Sequence, residues 1–167
     1  MVNYFAAFYS DPHFGHARII EYSSRPFSSI ENMNAALVIN YNTHIHPNDT
    51  VLWLGDCFLC KVEDAKAIMS SLNGTKILVK GNHDKSKTAM CEIGFTAVAD
   101  ELTLSIAGRK VIARHVPQYI KGAVTLHGHT HSKERRNNNR IHVGVDAWDY
   151  RPAMYEEVEE LVKEIYV

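Results

Sequence analysis

Five short apolar runs in this chain each stop at a small group of aspartate, asparagine or histidine residues, and this recurrence narrows the folds open to it. Residues 4–9 lead into Ser10-Asp11-Pro12-His13, residues 50–54 into Gly55-Asp56, and residues 75–79 into Lys80-Gly81-Asn82-His83-Asp84. Further on, Val111-Ile112-Ala113 precedes His115, and Ala123-Val124-Thr125-Leu126 precedes Gly128-His129-Thr130-His131. Open α/β sheets place their chemistry at the carboxyl ends of strands. Five strand ends of this kind would bring oxygen and imidazole ligands to one place, as a two-metal site requires.

The segments between these runs suit such a sheet. Residues 17–22 read as a short helix ended by Ser23-Ser24-Arg25-Pro26. Ser28 and Glu31 have the spacing of a capping box, and Ile30, Met33, Leu37, Tyr41 and Ile45 follow at helical period. Residues 62–72 form the next helix, closed by Asn73-Gly74 as a left-handed cap. Strand and helix therefore alternate up to Asp84, the pattern of a parallel sheet. Beyond Gly94 the pattern changes to strands joined by short polar turns, with Ala107-Gly108 a hairpin. Residues 132–140 read as a polar loop, residues 141–145 as a last strand, and Pro152 as the first-turn proline of a terminal helix with Glu156 and Glu157 near its positive end.

At the strand ends, Asp11 and His13 lie two apart, so on an extended backbone both face the same way, and the same holds for His129 and His131. The carboxylate of Asp56 has two oxygens and suits a bridge between two cations. His16 and Arg18 fall where the mouth of the site is expected, within reach of a substrate phosphate, whereas His44 and His46 read as solvated. Cys57-Phe58-Leu59-Cys60 has the C-x-x-C spacing, but one pair alone is a weak zinc or redox signal; the alternative is two thiols packed beside the metal-binding loop.

Composition sets outer bounds. The chain has 167 residues, 46% of them hydrophobic, enough for one domain over 1–167 to remove roughly two-thirds of its unfolded surface from water. A formal net charge of −1 calls for neither nucleic acid nor an anionic membrane. No apolar run reaches the ~18 residues of a membrane span, residues 1–9 lack the features of a signal peptide, and three cysteines make no disulfide framework, so a cytoplasmic location is expected.

Taken in order, Asp11-Pro12-His13, Gly55-Asp56, Gly81-Asn82-His83-Asp84, His115 and Gly128-His129-Thr130-His131 resemble the motifs of the calcineurin-like metallophosphoesterase superfamily, over residues 11–146. With no large insertion between motifs, the chain is most similar to its small capless phosphodiesterases of bacterial or phage type. The resemblance implies an α/β fold, a four-layer α/β/β/α sandwich of two mixed sheets flanked by helices. It also implies Asp11, His13, Asp56 and His131 on one metal and Asp56, Asn82, His115 and His129 on the other, with Asp56 bridging. His83 would approach the substrate without binding metal, and Asp84 would either orient His83 or cap the helix after it. Ligands of this kind suit Mn²⁺ foremost, with Fe, Ni or Zn²⁺ as alternatives. Two such ions would activate a bridging water for attack on a small, nucleotide-like phosphodiester, and His83 would assist the leaving group. A nuclease acting on single strands through residues 133–140, a phosphomonoesterase and a catalytically silent metal-binding protein are the other readings. In the superfamily's phosphoprotein phosphatases, Gly-Asp continues as Gly-Asp-x-x-Asp-Arg; here Leu59 and Cys60 fill the last two positions. Without that guanidinium clamp, a diester is expected over a dianionic monoester.

Overall fold

The computed structural model describes residues 5–165. Tyr4, part of the first expected strand, lies outside them. In the first half strand and helix alternate as β1 (Ala7–Tyr9), α1 (Ile19–Tyr22), α2 (Ile30–His44), β2 (Thr50–Trp53), α3 (Val62–Ser71), β3 (Thr75–Val79), α4 (Lys87–Ile93) and β4 (Ala97–Ala99). The second half holds β5 (Leu102–Ile106), β6 (Arg109–Ala113), β7 (Val124–His127), β8 (Arg136–Asn137) and β9 (Arg140–His142). A 3-10 turn over Val145–Ala147, β10 (Ala153–Met154) and α5 (Tyr155–Lys163) complete the order.

Two five-stranded mixed sheets result, in the orders β10-β1-β2-β3-β4 and β5-β6-β7-β9-β8, with helices flanking them. In the first, β1 to β4 are mutually parallel and β10 is antiparallel. In the second, β6, β7 and β9 are parallel, with β5 and β8 antiparallel at the edges. Side chains alternate across each strand. Tyr9, Val51, Trp53 and Leu78 therefore meet Met33, Leu37 and Tyr41 of α2 and Ala65 and Met69 of α3 on one face of the first sheet. Phe8, Leu52, Leu54 and Val79 point the other way, against Val111, Ala113, Val124, Leu126 and Ile141 of the second sheet. α5 adds Val158 and Val162 to this inter-sheet core and reaches both β9 and β10. Each fully buried large side chain of this kind contributes about 1.5–3 kcal/mol.

Several boundaries differ from the sequence reading. Ser29, not Ser28, caps α2: its backbone is extended and its Oγ accepts from the Asn32 amide at 3.2 Å, while Ser28 takes the Asn32 side chain. The last expected strand stops at His142 and gives way to the 3-10 turn. Pro152 does not open α5 but precedes β10, an edge strand, where a missing N–H costs little. β4 joins the first sheet beside β3 and is no part of a hairpin series, whereas Ala107 and Gly108, at φ 51° and 72°, do turn β5 into β6. Residues 132–140 are not simply a loop, because β8 pairs with β9 through Asn137↔Arg140 and Arg136↔Ile141. Among the described residues no helix is long and apolar enough to cross a membrane.

Candidate metal centre

The carboxyl ends of β1, β2, β3, β6 and β7 meet at one end of the sandwich, so both sheets contribute to a single cluster. Asp11, His13 and His131 form one group whose ligand atoms all lie within 4.8 Å of one another, and Asp56, His115 and His129 form a second. Either group can hold a metal ion. Asp56 stands between them: its Oδ2 lies 3.3 Å from His115 Nε2 and 3.7 Å from His13 Nε2. Asp11, His13, Asp56 and His115 are buried as the floor, and Asn82, His83 and His129 are exposed at the rim.

The backbone that carries these groups is not extended. Asp11, His13, Asp56, His129 and His131 have φ of 57°, 51°, 53°, 72° and 50°, in the left-handed region that L-residues seldom occupy. The same-side projection expected of Asp11 with His13, and of His129 with His131, therefore comes from left-handed turns and not from strand pleat. Such strain persists only where the surroundings over-determine it, and it collects at functional sites. Close packing enforces it here. A Cβ on Gly128 would lie 2.1 Å from Ser10 Oγ and 2.4 Å from Asp11 Oδ2, and one on Gly81 would lie 2.3 Å from Asp56 Oδ1.

Hydrogen bonds fix the imidazoles. His115 Nδ1 donates to the Leu54 carbonyl at 2.6 Å, which leaves Nε2 facing Asp56. His131 Nδ1 donates to Asp146 Oδ2 at 2.9 Å and leaves its own Nε2 free. Metal-binding histidines are commonly oriented in this way. His13 is different: both ring nitrogens are buried without a hydrogen-bond partner. An unsatisfied buried donor or acceptor costs about 1–3 kcal/mol, so the ring suits a site where a cation takes one nitrogen.

Burial and mutual charge shift most of these groups. Burial raises Asp11 to about 6, against the pull of His115 and His131. Burial acts most strongly to raise Asp56, but the hydrogen bond and charge of His115, the His83 amide and the charge of His13 together hold the carboxyl below its ordinary range. For His115 burial acts downward, and the hydrogen bond and charge of Asp56, with the charge of Asp11, lift it to about 9. Burial and the neighbouring His131 push His13 far down. Burial likewise lowers His129.

Behind these candidate ligands is a layer absent from the sequence reading. Arg25 is buried and forms a bidentate pair with Asp146, through Nε to Oδ1 at 2.9 Å and Nη2 to Oδ2 at 2.8 Å. Its remaining donors reach the carbonyls of Pro12 at 2.9 Å and Asp11 at 2.8 Å. Asp146 could have been found as one more carboxylate just past an apolar run. Arg25 carried no signal in a segment that reads as a helix terminator.

Ser86, not Asp84, caps the following helix. The Asp84 carboxylate is buried and accepts from the amides of Asp56 at 3.0 Å, Cys57 at 2.8 Å and Gly81 at 2.8 Å. It pins the loops of Asp56 and Gly81 together. The His83 amide donates to Asp56 Oδ1 at 3.0 Å, and the exposed ring brings Nε2 to 4.0 Å from Asp56 Oδ2. His16 lies beside the first group, 5.6 Å from His13 between ring centres, and Arg18 is exposed next to it. Beside the second group a cleft of 250 Å³ is lined by Lys80, Asn82, Arg114, His115 and Val116. A larger cavity of 470 Å³, between Tyr119, Arg136, Asn138 and Glu164, includes none of the expected ligands. Cys57 is buried and Cys60 packs toward Gly15; neither joins a ligand group among the described residues. Arg135 stacks on Trp148 at 4.1 Å and Arg136 pairs with Glu164 at 2.9 Å, so the arginines of the hairpin are engaged within the chain.

No protein-family model matches the sequence. The chain is 31% identical over 170 residues to the uncharacterized protein MJ1445 of Methanocaldococcus jannaschii, covering 92% of this chain and 89% of that one. It is 28% identical over 195 residues to the gene 66 protein of mycobacterium phage D29, covering 95% and 96%. Among solved structures, the protein of unknown function AQ665 from Aquifex aeolicus has the same fold, at a TM-score of 0.75 and 24% identity over 93% of this chain and 97% of that one.

Proposed function

The chain belongs to the family of the uncharacterized Methanocaldococcus jannaschii protein, and for this member we propose hydrolysis of a small phosphodiester with two divalent metal ions, Mn²⁺ foremost, in the manner of the calcineurin-like metallophosphoesterases. The observation that carries the reading is the position of Asp56, whose Oδ2 lies 3.3 Å from His115 in one candidate group and 3.7 Å from His13 in the other. A carboxylate so placed suits a ligand shared by both ions. Asp11, His13 and His131 would complete one set, and Asn82, His115 and His129 the other. When bound, two such ions activate water and neutralise charge on the phosphoryl oxygens.

The chain's own groups do the rest. His83 is fixed through its amide, while its ring, with the side chain 53% exposed, is free to hold a proton at Nε2 and pass it to the departing oxygen. Asp84 acts at one remove by holding the loops of Asp56 and Gly81. Leu59 and Cys60 offer no guanidinium clamp, which favours a diester, since a dianionic monoester depends more on such an anchor. A nuclease has less support, because Arg135 and Arg136 already have partners.

The test uses Mn²⁺-loaded protein with bis-p-nitrophenyl phosphate and p-nitrophenyl phosphate. A chelator is expected to abolish turnover, Asp56→Ala to lose bound metal, and His83→Ala to keep its metal while kcat falls about 10²- to 10⁴-fold. Full activity after metal removal, or a tenfold preference for the monoester, sinks the reading.

A further inference from the structure

Tyr22 leaves 67% of its surface in water, more than any other large apolar side chain among the described residues. A single exposed tyrosine needs no explanation in itself. Its neighbours give it one. The ring lies 6.2 Å from that of His16 with the planes at 68°, and the His16 ring lies 5.6 Å from that of His13 in the first candidate metal group. A path of rings thus runs from the floor of the site out to an exposed aromatic face. The segment that holds Tyr22 is short and tied at both ends. Ile19 is buried in the core at the start of α1, and the chain turns at Ser24, with φ 48°, to return to buried Arg25. The amides of Ser23 and Arg25 donate to the carbonyls of Ile19 and Ile20 at 3.0 and 2.8 Å. Tyr22 is therefore held out beside the site by a fixed turn.

We infer that Tyr22, backed by His16, is a stacking platform for the planar ring of the substrate, and that the substrate is a nucleotide-like ester with a base attached to its sugar phosphate. The inference rests on the phosphodiesterase reading and deepens it by assigning the base of a nucleotide-like substrate to a particular side chain. By way of His16, ring-centre steps of 6.2 and 5.6 Å separate the platform from His13, which leaves room for a sugar phosphate between them. An aromatic face accepts any base, because every base has a π-surface, so the platform would select nucleotides as a class without reading their identity. Exposed Arg18 in the same segment can meet the negative charge of the phosphate.

The test is direct binding to the Mn²⁺-loaded protein, by calorimetry, of adenosine 5′-monophosphate and ribose 5-phosphate, which differ only by the base. The wild type is expected to bind the nucleotide about tenfold more tightly, the scale of one base–aromatic stack. Tyr22→Ala should remove that preference and leave ribose 5-phosphate binding unchanged, while Tyr22→Trp keeps it. A wild type without preference for the nucleotide, or a Tyr22→Ala protein that retains it, overturns the platform. Failure of the hydrolase reading looks different: the nucleotide preference and its loss in Tyr22→Ala would persist in a protein that turns over no diester.

Discussion

At the scale of single residues, Asp146 links two tasks that pull on the same carboxylate. It accepts the Nδ1 proton of His131 at 2.9 Å and both arms of Arg25 at 2.8 and 2.9 Å, while burial opposes its ionised form. The pair with Arg25 is buried, so its value lies less in net stability than in the cost of breaking it. Arg25→Ala would leave a buried carboxylate with one imidazole and free the carbonyls of Asp11 and Pro12; unfolding in urea should register a loss of about 3–5 kcal/mol. Asp146→Asn keeps the shape but weakens the orientation of His131, and Mn²⁺ affinity by calorimetry should fall about 10- to 100-fold. An unchanged affinity would mean that His131 needs no support or binds no metal. The residues that the structure brings into two groups could be read from sequence because Asp and His recur just past short apolar runs. Arg25 could not, since nothing local to Ser24-Arg25-Pro26 announces a partner 121 positions away.

Among the elements, the turns after the strands decide the site more than the strands do. Gly128 follows β7 where any Cβ would strike Ser10 Oγ and Asp11 Oδ2. Gly128→Ala should therefore cost about 1–3 kcal/mol as an overpacked position and displace Asp11, read together as a lower Tm and weaker Mn²⁺ binding. The start of α5 offers a pH test away from the metals. Glu157 takes a bidentate bond from Arg151, at 2.7 Å on each arm, and accepts the Met154 amide at 3.2 Å. Arg151 is the main cause of its pKa falling below the ordinary 4.5. Because the folded value is the lower one, the stabilisation is complete above about pH 4.5 and is lost as pH falls through the folded value. Glu157→Gln should lower Tm at pH 7, and the gap from wild type should close toward pH 3. A gap that widened with acid would contradict the sign. β3, apolar over Ile77-Leu78-Val79 and flanked by clear breakers, is legible in the sequence over Thr75–Val79. β8 is hidden because an edge strand of Arg136 and Asn137 carries polar side chains that keep other chains from pairing with it, and composition alone makes it a loop.

For the molecule as a whole, the candidate ligands are divided between the two sheets. Asp11, His13, Asp56 and Asn82 follow strands of the first sheet, and His115, His129 and His131 follow strands of the second. The sheets are otherwise joined by their apolar core and by a few polar links, such as the Val145 amide to the Ser10 carbonyl at 3.0 Å and His115 Nδ1 to the Leu54 carbonyl. Metal bound here would therefore act as a clamp between the sheets, and since the unfolded chain offers no such preformed set, the binding energy becomes folding energy. One ion at a hundred times its dissociation constant adds about 2.7 kcal/mol. For a chain of this length each kcal/mol moves Tm by about 2–4 °C, so Mn²⁺ should raise it by roughly 5–11 °C per occupied site. The shift should grow with the logarithm of metal concentration and return to baseline with a chelator. Asp56→Ala, which removes the carboxylate nearest to both groups, should abolish most of it. His83→Ala should retain it in full, because that ring is proposed to serve the leaving group and not the metal. Differential scanning calorimetry across a Mn²⁺ series resolves all three proteins, and a wild-type Tm indifferent to every divalent ion tried would remove the metal centre and the chemistry built on it.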